Sequence, residues 1–126
     1  MPKRKKNKIL VADDHEEIRN LMVEAISFIG CEVAQASDGE EALKMIQKDK
    51  PDILVLDINM PKIDGFEVLR RIKSRASTKD IYVIVFTVRS RRRDIDKGYE
   101  LGADVYFEKP RDPIPEVQKA LELINS

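Results

Sequence analysis

The run Ile53-Leu54-Val55-Leu56-Asp57, continued by Ile58-Asn59-Met60-Pro61 and the turn Ile63-Asp64-Gly65, decides the fold of this chain. Four consecutive aliphatic residues leave no polar face, so the segment suits a strand covered on both sides, as in the middle of a parallel sheet. It then ends in an acid. A carboxylate at the mouth of so apolar a run loses hydration, a cost that persists only where something uses the charge.

Comparable runs lie at residues 9–12, 33–36, 81–86 and 105–107. The run at 81–86 is also apolar throughout and rich in β-branched residues, whereas Val33-Ala34-Gln35-Ala36 is more polar and suits an edge position. Between the runs lie helical patterns. Ile18, Leu21, Met22, Ala25, Ile26 and Ile29 recur at helical spacing, with Asp14 as the expected cap, Glu16 and Glu17 in the first turn and Gly30 as the stop. A second helix is expected from about Asp38, packing Ala42, Leu43 and Ile46. A third runs from about Asp64 through Phe66, Leu69 and Ile72. A fourth, from about Arg91 to Leu101, has a thin apolar face of Ile95, Tyr99 and Leu101. The fifth begins near Pro115 and presents Val117, Ala120, Leu121 and Ile124. Alternation of this kind gives an α/β fold of the (βα)5 type, an open doubly wound sheet with helices on both faces.

With 126 residues the chain fits one domain, and 42% apolar with 37% charged residues suits a folded, soluble one. Formal net charge is zero, which argues against direct nucleic-acid binding by the whole. The basic residues are unevenly placed: five of the 23 fall in MPKRKKNK, residues 1–8, which reads as a solvated basic N-terminal tail. The lone cysteine, Cys31, excludes an intrachain disulfide and reads as a small buried thiol. No early segment is long enough for a signal-peptide core or a membrane span, so no membrane partner and a cytoplasmic location are expected.

Four of the five strands end in or are followed by polar chemistry: Asp13-Asp14, Asp57, Thr87, and Lys109-Pro110. In a parallel sheet these carboxyl ends share one edge, where open α/β folds bind ligands. Three carboxylates together call for a cation, and oxygen ligands without a histidine–cysteine cluster point to a hard ion, Mg²⁺. Lys109 adds a positive charge and Thr87 a hydroxyl. That set suits delivery of an anion to a positioned carboxylate, as phosphoryl transfer requires. His15 leaves two readings open, metal ligand or ordinary polar residue in the first helical turn, with the second preferred.

VADD after the first strand, LVLDINMP…DG after the third, VFT at the fourth and GADVYFEKP around the fifth resemble the receiver domain of two-component response regulators, from about Lys8 to the end. The resemblance implies a flavodoxin-like three-layer sandwich with strand order 2-1-3-4-5, the receiver domain occupying residues 9–126. It further implies Asp57 as the phosphoacceptor, Asp14 as direct Mg²⁺ ligand, Asp13 acting mainly through water, and the backbone carbonyl of Asn59 as another ligand. Lys109 corresponds to the lysine that pairs with the phosphate, before a proline bond that is usually cis, and Thr87 and Tyr106 to the switch pair. The implied partners are a sensor histidine kinase or phosphotransfer protein and a downstream effector. The implied readout surface is the fourth helix, fifth strand and fifth helix, the face through which a homodimer would form. The module would catalyse only its own phosphorylation and dephosphorylation.

Val88 stands where relatives carry a small residue, placing bulk beside Tyr106, and Arg89 with Arg91-Arg92-Arg93 is unusually basic for a helix start. That basic run is read as a solvated loop, with a docking patch for an acidic partner as the other reading. Competing functions are weaker. An aspartate-nucleophile phosphatase or phosphomutase wants a second acid at position 59, where Asn59 stands, and nucleotide or flavin binding lacks a glycine-rich phosphate loop. An interaction module that has lost phosphorylation is opposed by the intact acid, threonine and lysine set. The absence of a linker after Ile124 favours a free-standing regulator over an excised receiver.

Overall fold

In the computed structural model, which describes residues 6–126, five strands alternate with five helices. The strands are β1 (Lys8–Ala12), β2 (Glu32–Ala36), β3 (Ile53–Leu56), β4 (Tyr82–Thr87) and β5 (Val105–Glu108). The helices are α1 (Glu16–Phe28), α2 (Gly39–Lys48), α3 (Gly65–Lys73), α4 (Arg92–Glu100) and α5 (Ile114–Asn125). All strand pairs are parallel, in the order β2-β1-β3-β4-β5. This is the expected three-layer, doubly wound sandwich.

The side chains of each central strand divide between two cores. Ile9, Val11, Ile53, Val55, Ile84 and Phe86 pack on Met22 and Ile26 of α1 and Val117 and Ala120 of α5. Leu10, Ala12, Leu54, Leu56, Val83 and Val85 face the other way, onto Ala42 and Ile46 of α2 and Phe66, Leu69 and Ile72 of α3. Both faces being buried is why Ile53 to Leu56 shows no polar alternation. The α4 helix is thin: its buried residues are Asp94 and Gly98.

Several local expectations need correction. Asp14 does not cap α1; His15 occupies the N-cap without a side-chain cap bond, because the Asp13 carboxylate takes the His15 N–H. Leu21 is 66% exposed rather than part of the buried stripe. Gly30 does stop α1, at φ +93°, a conformation open to glycine. Lys8 belongs to β1, its N–H bonded to Asp52 Oδ2 at 2.9 Å, so the first strand enters the span read as a tail; residues 1–5 lie outside the described residues. Cys31 is partly exposed rather than buried, and its partial burial followed by the charge of Asp52 raises its thiol pKa. Among the described residues no helix is long and apolar enough to cross a membrane.

Candidate functional site

Strand register brings the polar residues together. Ala12 pairs with Leu56, so the next residues, Asp13 and Asp57, emerge side by side, with Asp57 N–H bonded to Ala12 O at 2.9 Å. Thr87 pairs with Glu108, so Lys109 follows on the same edge, its N–H bonded to Thr87 O at 2.9 Å. Asp13, Asp57, Thr87 and Lys109 are all buried, while Asp14 is exposed.

Lys109 Nζ lies 2.6 Å from Asp13 Oδ2 and 3.2 Å from Asp57 Oδ2, and 5.4 Å above the centre of the Phe86 ring. The Lys109–Pro110 peptide bond is cis. Asp57 Oδ1 accepts the Asn59 N–H at 3.2 Å. Gly65 holds the following loop close: a Cβ there would run into the Asp57 carbonyl and the Ile58 Cα, and its N–H bonds Ile58 O at 2.8 Å. The turn after Pro61 therefore closes back over the acid, which is why the sequence reads Asp-Gly there.

His15, left open between a metal ligand and a polar residue of the first helical turn, stands beside the acids. Its Nδ1 lies 3.2 Å from Asp13 Oδ1, 3.2 Å from Asp14 Oδ1 and 4.0 Å from Asp57 Oδ2. The ring hangs over the acids from the N-cap rather than lying in the first helical turn.

The other half of the edge is looser. Thr87 Oγ1 accepts the Arg89 N–H at 3.3 Å, and the Tyr106 hydroxyl donates to Arg89 O at 2.6 Å. Tyr106 is half-buried; burial first, then the charge of Asp94, pushes its hydroxyl pKa up to about 12. Its ring lies against Gly98, where a Cβ would come within 2.6 Å of it. Tyr99 Oη accepts the Tyr106 N–H at 3.0 Å, covering the free side of the edge strand. Val88 is 63% exposed and lines an apolar groove with Leu21 and Ile114 on the α1–α5 side, whereas Tyr106 packs on the opposite core. The expected crowding of Tyr106 by Val88 is therefore not seen.

The basic run is partly spent internally. Arg89 Nη2 lies 3.2 Å from Asp94 Oδ1, Arg89 Nη1 lies 3.5 Å from Asn59 Oδ1, and the guanidinium stacks 5.2 Å from the centre of the Phe66 ring. Arg92 pairs with Asp96 at 3.4 Å. Asp94 and Gly98 escaped the sequence reading. The signal for Asp94 was an acid in the first turn after three arginines.

The family model of the response regulator receiver domain matches residues 9–122. The chain belongs to the response regulator receiver domain family. It is 44% identical over 110 residues to the "Probable transcriptional regulator ycf27" of Galdieria sulphuraria, covering 87% of this chain and 42% of that one. It thus spans less than half the length of such curated relatives. Among solved structures, the chemotaxis response regulator CheY4 of Vibrio cholerae superposes with a TM-score of 0.85 at 28% identity, covering 92% of this chain and 99% of that one. The Mn²⁺-bound form of response regulator Rcp1 superposes with a TM-score of 0.79 at 28% identity, covering 93% and 91%.

The donor set of this receiver domain fits a divalent cation. Asp13, Asp14 and Asp57 carry three negative charges, and Lys109 is the cation bonded to two of them, so the pocket keeps an excess that a doubly charged ion neutralises. One ligand atom from each of these acids and from His15 lies within 4.8 Å of the others. A carboxylate set with one exposed member, Asp14, suits Mg²⁺, which keeps part of its hydration.

Proposed function

We propose that this receiver, residues 9–126, accepts a phosphoryl group on Asp57 from the phosphohistidine of a sensor kinase or phosphotransfer protein, in a Mg²⁺-dependent reaction. An Asp57 carboxylate oxygen attacks phosphorus, the P–N bond breaks, and its electron pair returns to the leaving imidazole, which takes up a proton from solvent. Asp13, Asp14, Asp57 and the backbone carbonyl of Asn59 would hold the ion; when bound, it offsets negative charge on the carboxylates and the incoming group. Lys109 pairs with the phosphoryl oxygens, and its present bonds to Asp13 and Asp57 put it within reach. The observation that carries the reading is this buried carboxylate held beside a lysine and two further acids.

Thr87 then turns from Arg89 N–H toward the new oxygens, and Tyr106 follows as the loop between β4 and α4 shifts. The surface of α4, β5 and α5 would present the result to an effector protein or to a second copy of the chain. The reading assigns this domain no nucleic-acid contact of its own, in keeping with zero net charge, and a cytoplasmic setting. The module catalyses only its own gain and loss of phosphate.

Incubation with Mg²⁺ and a small acyl phosphate, followed by intact mass measurement, tests this. A gain of one phosphoryl group is expected, absent with EDTA and absent in Asp57→Asn. An unchanged mass under conditions that modify a working receiver would leave an interaction module without phosphorylation.

A further inference from the structure

We propose that His15 supplies a nitrogen ligand to the divalent ion, so that this pocket favours Mn²⁺ and similar nitrogen-accepting ions over Mg²⁺. The inference rests on the phosphoacceptor reading above and extends it to the choice of ion.

His15 is aimed into the pocket by its own backbone. Its N–H is tied to Asp13 Oδ1 at 2.9 Å, and at the N-cap it keeps an extended conformation, φ −83° and ψ 102°. The ring nitrogen Nδ1 then stands 3.2 Å from Asp13 Oδ1, 3.2 Å from Asp14 Oδ1 and 4.0 Å from Asp57 Oδ2. Ligands sharing one octahedral ion at arms of about 2.1 Å are separated by about 3.0 Å when adjacent and about 4.2 Å when opposite. The three separations of Nδ1 fall in that range, so the imidazole is spaced as a fellow ligand of the carboxylates.

The bonding of Asp13 divides the same way. Its Oδ2 is taken by Lys109 at 2.6 Å, while its Oδ1 faces His15. Ligation by Nδ1, with Asp13 Oδ1 reaching the ion through water, therefore leaves the lysine contact intact. Mg²⁺ gains little from exchanging a water for imidazole, whereas affinity for nitrogen donors rises along the first transition row from Mn²⁺. A site with carboxylates alone would show a smaller preference than one with an imidazole among its ligands.

The test uses Mn²⁺ as probe on the full chain. Pulsed electron paramagnetic resonance of the Mn²⁺ protein is expected to show ¹⁴N coupling from a directly bound imidazole, lost in His15→Gln. The same substitution should weaken Mn²⁺ binding by roughly tenfold or more, with Mg²⁺ binding, read by competition, nearly unchanged. Circular dichroism checks that the variant is folded. A Mn²⁺ spectrum without ¹⁴N coupling, or equal losses for both ions, would overturn the role of His15 and leave the phosphoacceptor reading standing. Mn²⁺ binding that survives Asp13→Asn and Asp57→Asn unchanged, or no Mn²⁺ binding at all, would overturn both.

Discussion

Asp13, Asp57 and Lys109 meet at the buried ends of β1, β3 and β5, whereas Arg89, Tyr99 and Tyr106 meet on a rim open to solvent beside α4. In the pocket the strongest forces are between charges at most 7% exposed, so each group fixes the others. On the rim, Tyr99 is 48% exposed, and α4 buries only Asp94 and Gly98. A charge added to the first region finds partners already in place. The second region is held by single hydrogen bonds, ion pairs of Arg89 and Arg92 and the stacking of Arg89 on Phe66, each small enough to be exchanged. The difference divides labour between a fixed chemical centre and a responsive surface, with Thr87 belonging to both.

Breaking the pocket should cost most. Lys109→Met leaves two buried carboxylates without their shared cation, a loss of about 3–5 kcal/mol in urea unfolding without divalent ions. Saturating Mg²⁺ should restore part of it, since the ion answers the same excess charge. If removing Lys109 cost nothing with EDTA present, the pocket would not be held by charge.

The next effect belongs to the rim. Gly98→Ala places a methyl group where the Tyr106 ring lies, and overpacking of this kind costs about 1–3 kcal/mol. The ring's escape is outward, so Tyr106 fluorescence or ring NMR shifts should report greater exposure. An unchanged ring environment would mean that α4 yields instead.

Arg89→Ala should be milder. The guanidinium is partly exposed, so water takes up part of the bond lost by buried Asp94, and the cost should stay near about 1 kcal/mol. Amide exchange in α4 should nevertheless quicken, because Asp94 loses its partner. Unchanged exchange there would show that Arg89 does not tether the helix.

The smallest effect lies on the surface, at Glu67. Arg70 and then Arg71 hold its carboxyl down at about 2 from an ordinary 4.5. The lowered value means that its contribution is present above pH 4.5 and is lost as pH falls toward 2. Comparing Tm across that window with Glu67→Gln should show a slightly flatter acid limb in the variant. Water screens all three side chains, so a large difference would be unexpected.

Much of the fold was legible because β3 carries its own signature: four aliphatic residues suit burial on both faces, as inside a parallel sheet, and the acid at its end marks the working edge. Asp13, Thr87 and Lys109 followed from the same topology, since each directly follows or ends a strand. Residues placed by tertiary contact were not legible. Asp94 reads as a solvated acid until Arg89 is seen beside it, and Gly98 as a weak helix residue until the Tyr106 ring is seen filling its space. Asp14 and His15 were misassigned by one position: which residue caps α1 depends on where the Asp13 carboxylate points, and local sequence does not say. Leu21 keeps helical spacing yet is exposed, because α1 and α5 leave a groove over it.

Beryllofluoride with Mg²⁺, a stand-in for the phosphoryl group on Asp57, gives the most direct test of a fixed pocket driving a movable rim. Amide spectra recorded through the titration should shift at Asp57 and Asn59, then at Thr87, Arg89, α4 and β5, with Leu54, Val55 and the helices α2 and α3 little changed. Shifts confined to the acid pocket, with Arg89, Tyr99 and Tyr106 unmoved, would contradict the account.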